Sequence, residues 1–478
     1  MIPWRPSNAL TTPGRPCVSD TAAPEDDTAA AGGAASARPS ARALFRSLAV
    51  SLGVGLPVAA AAFAFLALSR GLESALWQRL PDGLGFSGTD WWWVLLVPTV
   101  GGVLSGLAVR RLPGRGGHEP IAGFSPDPVQ PRAIPGVVLA ALATLSFGAV
   151  LGPEAPLLAL GSALGLWFAR LARLDARVAP MAAAAGLFAS ISALFENPLP
   201  AALLVVEAVG MGASGVPLAA VVLPGMLAAA SGYLLITGLR SWSGLDVSAF
   251  PVLDLPEYAT VRPGDLLWAV VLGVVLALAL RLVRGGATVF HGVTLRHPTV
   301  AAPAAGLLVG ASAVAFAATT GQEPDLTLFS GETSAATVAA SGASWGVATL
   351  VALLLLKGLA YTVSLGSLFR GGPVFPALFL GVTAGVLLST IVPSVSPTAG
   401  VVAGMAAATS AMLRLPLSAV LLAVLLGGSS AVEATSLALL ASVAAFITTV
   451  AASRRDRAAE SGGSEPAGPE PAAIGPTS

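Results

Sequence analysis

Long apolar runs alternate along this chain with short apolar pieces interrupted by glycine and proline. Leu48–Leu68, Val216–Leu235 and Ala434–Val450 reach or approach the ~18–20 residues needed to cross the hydrocarbon core of a bilayer. Two conventional spans open the series, over roughly Ala43–Ser69 and Trp91–Val109. The second begins with Trp91, Trp92 and Trp93, which suit an interfacial aromatic belt. Between Pro135 and Pro200 the segments are short, broken by Gly152, Pro153, Pro156, Pro180, Pro198 and Pro200. Proline removes an amide donor from the helix ladder, and within lipid the freed backbone groups must be buried in protein or line a watery cavity. The pattern therefore predicts half-helices that end inside the membrane. Longer spans return at Val216–Leu235 and near Leu266–Val283, and the broken pattern recurs from Gly366 to Pro416. The polar stretches Trp242–Pro263 and Thr320–Thr333 read as loops outside the membrane.

The two broken regions resemble each other. GPEAPLLALG from Gly152 is echoed by GPVFPALFLG from Gly372, with Glu154 in the first copy where the second has Val374. GLFASISALFENPLPAALLVV from Gly186 matches GMAAATSAMLRLPLSAVLLAV from Gly404, sharing Gly186/Gly404, Ser192/Ser410, Pro198/Pro416 and Leu203/Leu421. Corresponding Gly/Pro-interrupted segments in two halves point to the binding site of a membrane transporter.

Composition agrees with this pattern. The chain is 55% apolar and 10% charged, against about 25% charged residues in a soluble domain, and the runs lack the alternation of a barrel. An all-α, polytopic membrane protein follows. Zero formal net charge gives no reason to expect nucleic acid as a partner. Cys17, the single cysteine, excludes an intrachain disulfide and argues against a thiolate metal site. Residues 1–41 read as a disordered tail, 42–452 as one membrane domain with halves at about 42–240 and 265–452, and 453–478 as a second polar tail. Arg38, Arg42 and Arg46, then Arg110, Arg111 and Arg115, then Arg454, Arg455 and Arg457 flank spans. An even number of crossings puts all three clusters, and both tails, on the cytoplasmic side of the inner (plasma) membrane.

Glu154 is the only charged side chain between Ile134 and Ala169. A carboxylate near the membrane centre costs about 2.5–3.5 kcal/mol or more, and such groups usually mark ion or proton paths. Gly152 and Pro156 around it suit a helix start, whose free N–H groups make an anion site. A glutamate there can occupy that site or, once protonated, yield it to a permeant anion. Gly371-Gly372-Pro373-Val374-Phe375-Pro376 offers a matching helix start, with the Val374 and Phe375 amides facing the anion. Gly117, His118 and Glu119, in a third Gly-rich loop, join Gly152 as candidate anion-binding positions, although His118 and Glu119 also suit a membrane boundary, and for His118 that is the favoured reading. Glu196 and Glu207 in the second repeated block are candidates for a proton path, or charges that reach water at helix ends. No HExxH, nucleophile elbow, Walker loop or metal cluster is present, so neither an enzyme nor a cofactor is expected.

Together these segments resemble the CLC family of chloride channels and chloride/proton antiporters, over about Leu44–Val450. GPEAP is similar to that family's G[K/R]EGP motif, which makes Glu154 the match of the gating glutamate. LGSLFRGGPVFP is similar to its LGSGxxGGxFxP stretch, and Lys357 upstream fits the same pattern. The resemblance implies a homodimer with one pore per subunit, two antiparallel (inverted) repeats of broken and tilted helices in each, and an anion held by helix N-termini near the midplane. This sequence departs from the family at several points. Gly117 stands where a serine hydroxyl helps coordinate the anion, and Pro153 where a basic residue precedes the gate. Ala208 stands where antiporters often carry an inner proton glutamate, and no tyrosine follows Tyr361. The expected function is movement of chloride or related small anions, gated by Glu154, with loose selectivity and weak or no proton coupling. The alternatives are a chloride/proton antiporter using Glu196 or Glu207 as inner proton site, and a membrane scaffold that does not conduct.

Overall fold

The computed structural model describes residues 41–124, 127–175, 178–211, 218–245, 251–258 and 260–462. The chain divides into two compact units, Met1–Leu44 and Phe45–Ser478. Of the first only residues 41–44 are described; the membrane helices and their contacts belong to the second. Most of the expected tails therefore lies outside the described residues, although the last helix runs on to Gly462.

The first half contains α1 (Ala41–Ser74), α2 (Leu80–Leu84), α3 (Trp91–Arg111), α4 (Ile134–Leu145), α5 (Glu154–Leu171), α6 (Ala179–Phe195), α7 (Pro198–Met211) and α8 (Leu218–Ser243). The second contains α9 (Pro263–Arg296), α10 (Pro298–Thr320), α11 (Ser334–Ser341), α12 (Val347–Gly366), α13 (Val374–Ile391), α14 (Pro397–Leu413), α15 (Pro416–Leu426), α16 (Ser429–Val432) and α17 (Thr435–Gly462). Eight helical stretches among the described residues are long and apolar enough to cross a membrane, and the short apolar helices include α6, α7, α14 and α15. Leu234, Leu267 and Leu282 lie on outward faces at 69%, 63% and 77% exposure, an apolar exterior suited to lipid rather than water. This is an all-α polytopic membrane protein. α10 is a span not named among those expected above, although it is as apolar as α3 and α12.

Prolines mark where the helices begin. Pro135, Pro180, Pro397 and Pro416 occupy first turns of α4, α6, α14 and α15, where the missing amide has no intrahelical partner to lose. The repeated glycines have a packing reason. A Cβ on Gly161 of α5 would collide with the Gly186 carbonyl of α6, and the reverse holds. Gly381 of α13 and Gly404 of α14 make the same reciprocal approach. Backbones this close gain dispersion contacts that lipid cannot match. Ser192 of α6 donates to the Ala229 carbonyl of α8 at 2.8 Å, while its repeat partner Ser410 of α14 donates to Ser442 of α17 at 2.9 Å. The sequence repeat therefore encodes matching helix contacts in the two halves.

Candidate anion pathway

The α4–α5 and α12–α13 connections meet at an isolated antiparallel bridge between Gly152 and Gly372. The Gly152 amide donates to the Gly372 carbonyl at 2.8 Å, and the Gly372 amide returns the bond at 2.7 Å. Each connection thus satisfies the backbone of the other in a region remote from water. The same pairing engages the Gly152 amide, so it is not a free donor for an anion. Glu154, 3% exposed at the start of α5, turns toward the start of α13. Its Oε1 accepts the Val374 amide at 2.5 Å, the Phe375 amide also faces the carboxylate, and its Oε2 is buried with no partner. The acid of one half therefore occupies the helix N-terminus of the other, where the dipole and free amides favour negative charge. Fully buried Tyr361 donates to the Pro373 carbonyl at 2.7 Å and fixes that N-terminus from α12.

Glycine is required beside this seat. A Cβ on Gly372 would overlap the Glu154 carboxyl carbon, and one on Gly152 would overlap Oε2. Gly372→Ala is accordingly expected to evict the carboxylate and raise anion flux several-fold at alkaline pH, in proteoliposomes of protein that elutes as a folded species. Flux equal to that of the unmodified chain would mean that the carboxylate does not close the path from this position.

The third loop is arranged differently from its sequence expectation. The Gly117 amide donates to the Gly114 carbonyl at 2.9 Å, so it too is engaged within the protein. The chain then makes a single 3-10 turn, Pro120–Ala122, and no α-helix start. His118 Nε2 lies 3.1 Å from the Asp127 carbonyl, and burial lowers the imidazole pKa against the opposing pull of Asp127. Glu119 is half-exposed and faces two groups, His291 at 3.8 Å and Arg370 at 3.6 Å. Arg370 was not a sequence candidate. It lies two residues before Gly372, and its stem lies so close to Gly116 that a Cβ there would press on its Cγ.

On the opposite side of the Gly152–Gly372 bridge, the 326–332 loop packs against the α4–α5 connection. The Phe329 amide donates to the Gly148 carbonyl at 3.1 Å. Lys357 of α12, 0% exposed, donates to the carbonyls of Leu326 at 2.9 Å and Leu328 at 2.8 Å, with its Nζ 4.2 Å from the centre of the Phe379 ring. Glu332 pairs with Arg70 at 3.2 Å beside a small cavity that Pro153 also lines. Burial pushes the Glu332 carboxyl up to about 8, against the pull of Arg70. The sequence gives no signal for this pair, whose members lie 262 positions apart.

Glu196 and Glu207 do not come together. Glu196 is the left-handed C-cap of α6 (φ 48°) and pairs with Arg240 near the end of α8, its other oxygen buried without a partner. Glu207 lies toward the other end of α7, about 15 Å away along a helix axis. Its Oε1 accepts the Leu417 amide at 2.9 Å, and its Oε2 accepts the Ser418 amide at 2.8 Å and hydroxyl at 2.6 Å. Glu207 thus caps α15 from across the chain. Arg414, just before α15, donates to Ser453 of α17 at 3.2 Å, so Glu207 lies at the end of the bundle where Arg454 and Arg455 follow.

The fold is that of a helical membrane protein in which a buried carboxylate occupies the start of a facing helix. The family model described as "Voltage gated chloride channel" matches residues 101–450, and the chain belongs to this CLC family. It is 28% identical over 357 residues to the "Putative ion-transport protein YfeO" of Escherichia fergusonii, covering 73% of this chain and 80% of that one. It is also 28% identical to the protein of the same description from Salmonella choleraesuis, over 73% and 81%. Among solved structures, a slow cyanobacterial Cl−/H+ antiporter matches with a TM-score of 0.69 at 19% identity, covering 87% of this chain and 99% of that chain. A CLC-type fluoride/proton antiporter matches at 0.60 and 18%, covering 86% and 98%. A eukaryotic CLC transporter matches at 0.62 and 18%, covering 85% and 72%. The chain therefore shares the CLC fold and is a member of a superfamily that moves anions across membranes.

Proposed function

We propose that this protein exchanges chloride or related small anions for protons, with Glu154 as both gate and outer proton acceptor. The observation that carries this reading is the Glu154 carboxylate on the Val374 amide. A negative ion arriving at the start of α13 must displace it. A displaced carboxylate that takes up a proton cannot return to the seat as a charge, so proton uptake and anion occupancy become linked. Two of the matched structures are proton antiporters, which favours exchange over the passive channel expected from sequence. Tails on the cytoplasmic side would make Glu207 the inner proton acceptor, since Glu196 lies toward the other end of α7. A second reading, passive flow, draws on the three hydrogen bonds that tie Glu207 to α15 and on Ala208 beside it.

The antiparallel Gly152–Gly372 bridge and the matched α6–α8 and α14–α17 hydrogen bonds support two inverted repeats. We take the working form to be a homodimer with one pore per subunit. Glu154, Val374 and Phe375 all come from one chain, so each subunit holds its own gate.

Reporting anions and protons together from one proteoliposome preparation tests the reading. A chloride gradient should drive uphill proton movement. Glu207→Gln should abolish that movement while anion flux persists. If Glu207 only caps α15, the variant keeps its coupling and loses about 0.5–2 kcal/mol of stability, as for other helix caps. Absence of any anion flux would instead identify a scaffold that does not conduct.

A further inference from the structure

Arg370 is a buried charge with most of its hydrogen-bonding capacity unmatched. Its side chain is 4% exposed. A guanidinium carries five N–H donors in a planar fork. Here Nε donates to the Arg115 carbonyl at 3.1 Å and Nη1 to the Phe369 carbonyl at 3.2 Å. Among the described residues Nη2 has Glu119 Oε1 as its acidic neighbour, at 3.6 Å, which is beyond hydrogen-bonding distance. A buried cation is costly unless it is paired and hydrogen-bonded, and here two neutral carbonyls and one longer ion pair with Glu119 leave that compensation incomplete. Glu119 is 48% exposed and hence free to leave.

Position gives this charge a role. Arg370 lies two residues before Gly372, about 7 Å along extended backbone from the Glu154 seat. It reaches from there to the Gly116–Glu119 loop, on the side of the arginine cluster Arg110, Arg111 and Arg115. Gly117 in that loop has no side-chain donor, and its amide is engaged. Arg370 supplies the donor that the loop lacks.

Building on the transport reading above, we propose that Arg370 coordinates the permeating anion in the inner pore and selects small planar oxyanions over spherical halides, with the Glu119 carboxylate holding the place of the ion when the pore is empty. The chemistry follows from the fork. Parallel N–H bonds point at the two separate oxygens of a carboxylate, nitrate or bicarbonate, whereas a halide must bend both bonds toward one centre. The group now facing Arg370 is itself a carboxylate.

Nitrate, formate, chloride and iodide are suitable probes, because weakly hydrated iodide and strongly hydrated formate separate fork recognition from mere ease of dehydration. Melting of the purified full-length protein in detergent should shift with nitrate and formate at concentrations about tenfold below those needed for chloride or iodide. Flux into proteoliposomes should favour nitrate over iodide by a similar factor. R370K should bring both ratios close to one, and E119Q, which keeps the fork and removes its competitor, should strengthen nitrate binding several-fold. Iodide equal to or better than nitrate in the unmodified protein would overturn the proposal, as would E119Q without effect. Chloride flux with no preference for oxyanions sinks the Arg370 site and leaves the transport reading intact. Nitrate binding that depends on Arg370, in a protein that moves no anion, does the reverse.

Discussion

Glu154→Gln is expected to free anion transport from external pH and to stop proton movement in the same protein. In the resting arrangement a carboxylate accepts the Val374 amide at the start of α13. A charged acceptor makes a hydrogen bond roughly twice as strong as a neutral one, and the helix end adds its own preference for negative charge. Glutamine keeps the size of the side chain and an acceptor oxygen but carries no charge. An anion can then displace it at any pH, so flux at alkaline pH should rise about tenfold, the factor corresponding to 1.4 kcal/mol. Flux at acid pH, where the carboxylate is already protonated, should change little. Glutamine takes up no proton, so uphill proton movement should vanish even under a steep chloride gradient. Proteoliposomes reporting chloride and pH together give both readouts, and a pH profile that survives in folded Glu154→Gln protein would remove Glu154 from the gate.

The sequence made Glu154 legible and hid what surrounds it. Glu154 could be picked out because charge is scarce in the broken helices, and because GPEAP and GPVFP repeat the same helix start. The glycine pairs Gly161/Gly186 and Gly381/Gly404 could be matched as letters, but their purpose, reciprocal backbone approach, exists only between packed helices. Arg370 was illegible for a related reason. Its partners, the Arg115 carbonyl and Glu119, lie more than two hundred positions away, as Arg70 does from Glu332. Glu196 and Glu207 looked equivalent along the chain. They differ because α7 separates them by its length and because the start of α15 approaches only one of them. Gly117 shows the opposite error, in which a motif position suggests a free amide that local folding has already paired.

Lys357→Met is expected to cause the largest loss of stability among these changes. The ammonium is fully buried and donates to the carbonyls of Leu326 and Leu328, with Phe329 O at 3.4 Å and the Phe379 ring beside it. Those carbonyls belong to the loop that packs on the α4–α5 connection through the Phe329 amide and Gly148. Methionine fills similar volume but leaves buried acceptors with no donor, and each unsatisfied group costs about 1–3 kcal/mol. Two such carbonyls put the summed effect at about 2–6 kcal/mol. The damage should begin locally, in the loop whose carbonyls the ammonium holds. Hydrogen exchange is therefore expected to speed up first at the Phe329 amide, before α12 and α13 open. Since Pro153 lines the cavity under this loop, loosening it should also weaken the pH dependence expected from Glu154. A Lys357→Met protein with unchanged melting and unchanged exchange at Phe329 would show that the lysine does not hold the loop closed.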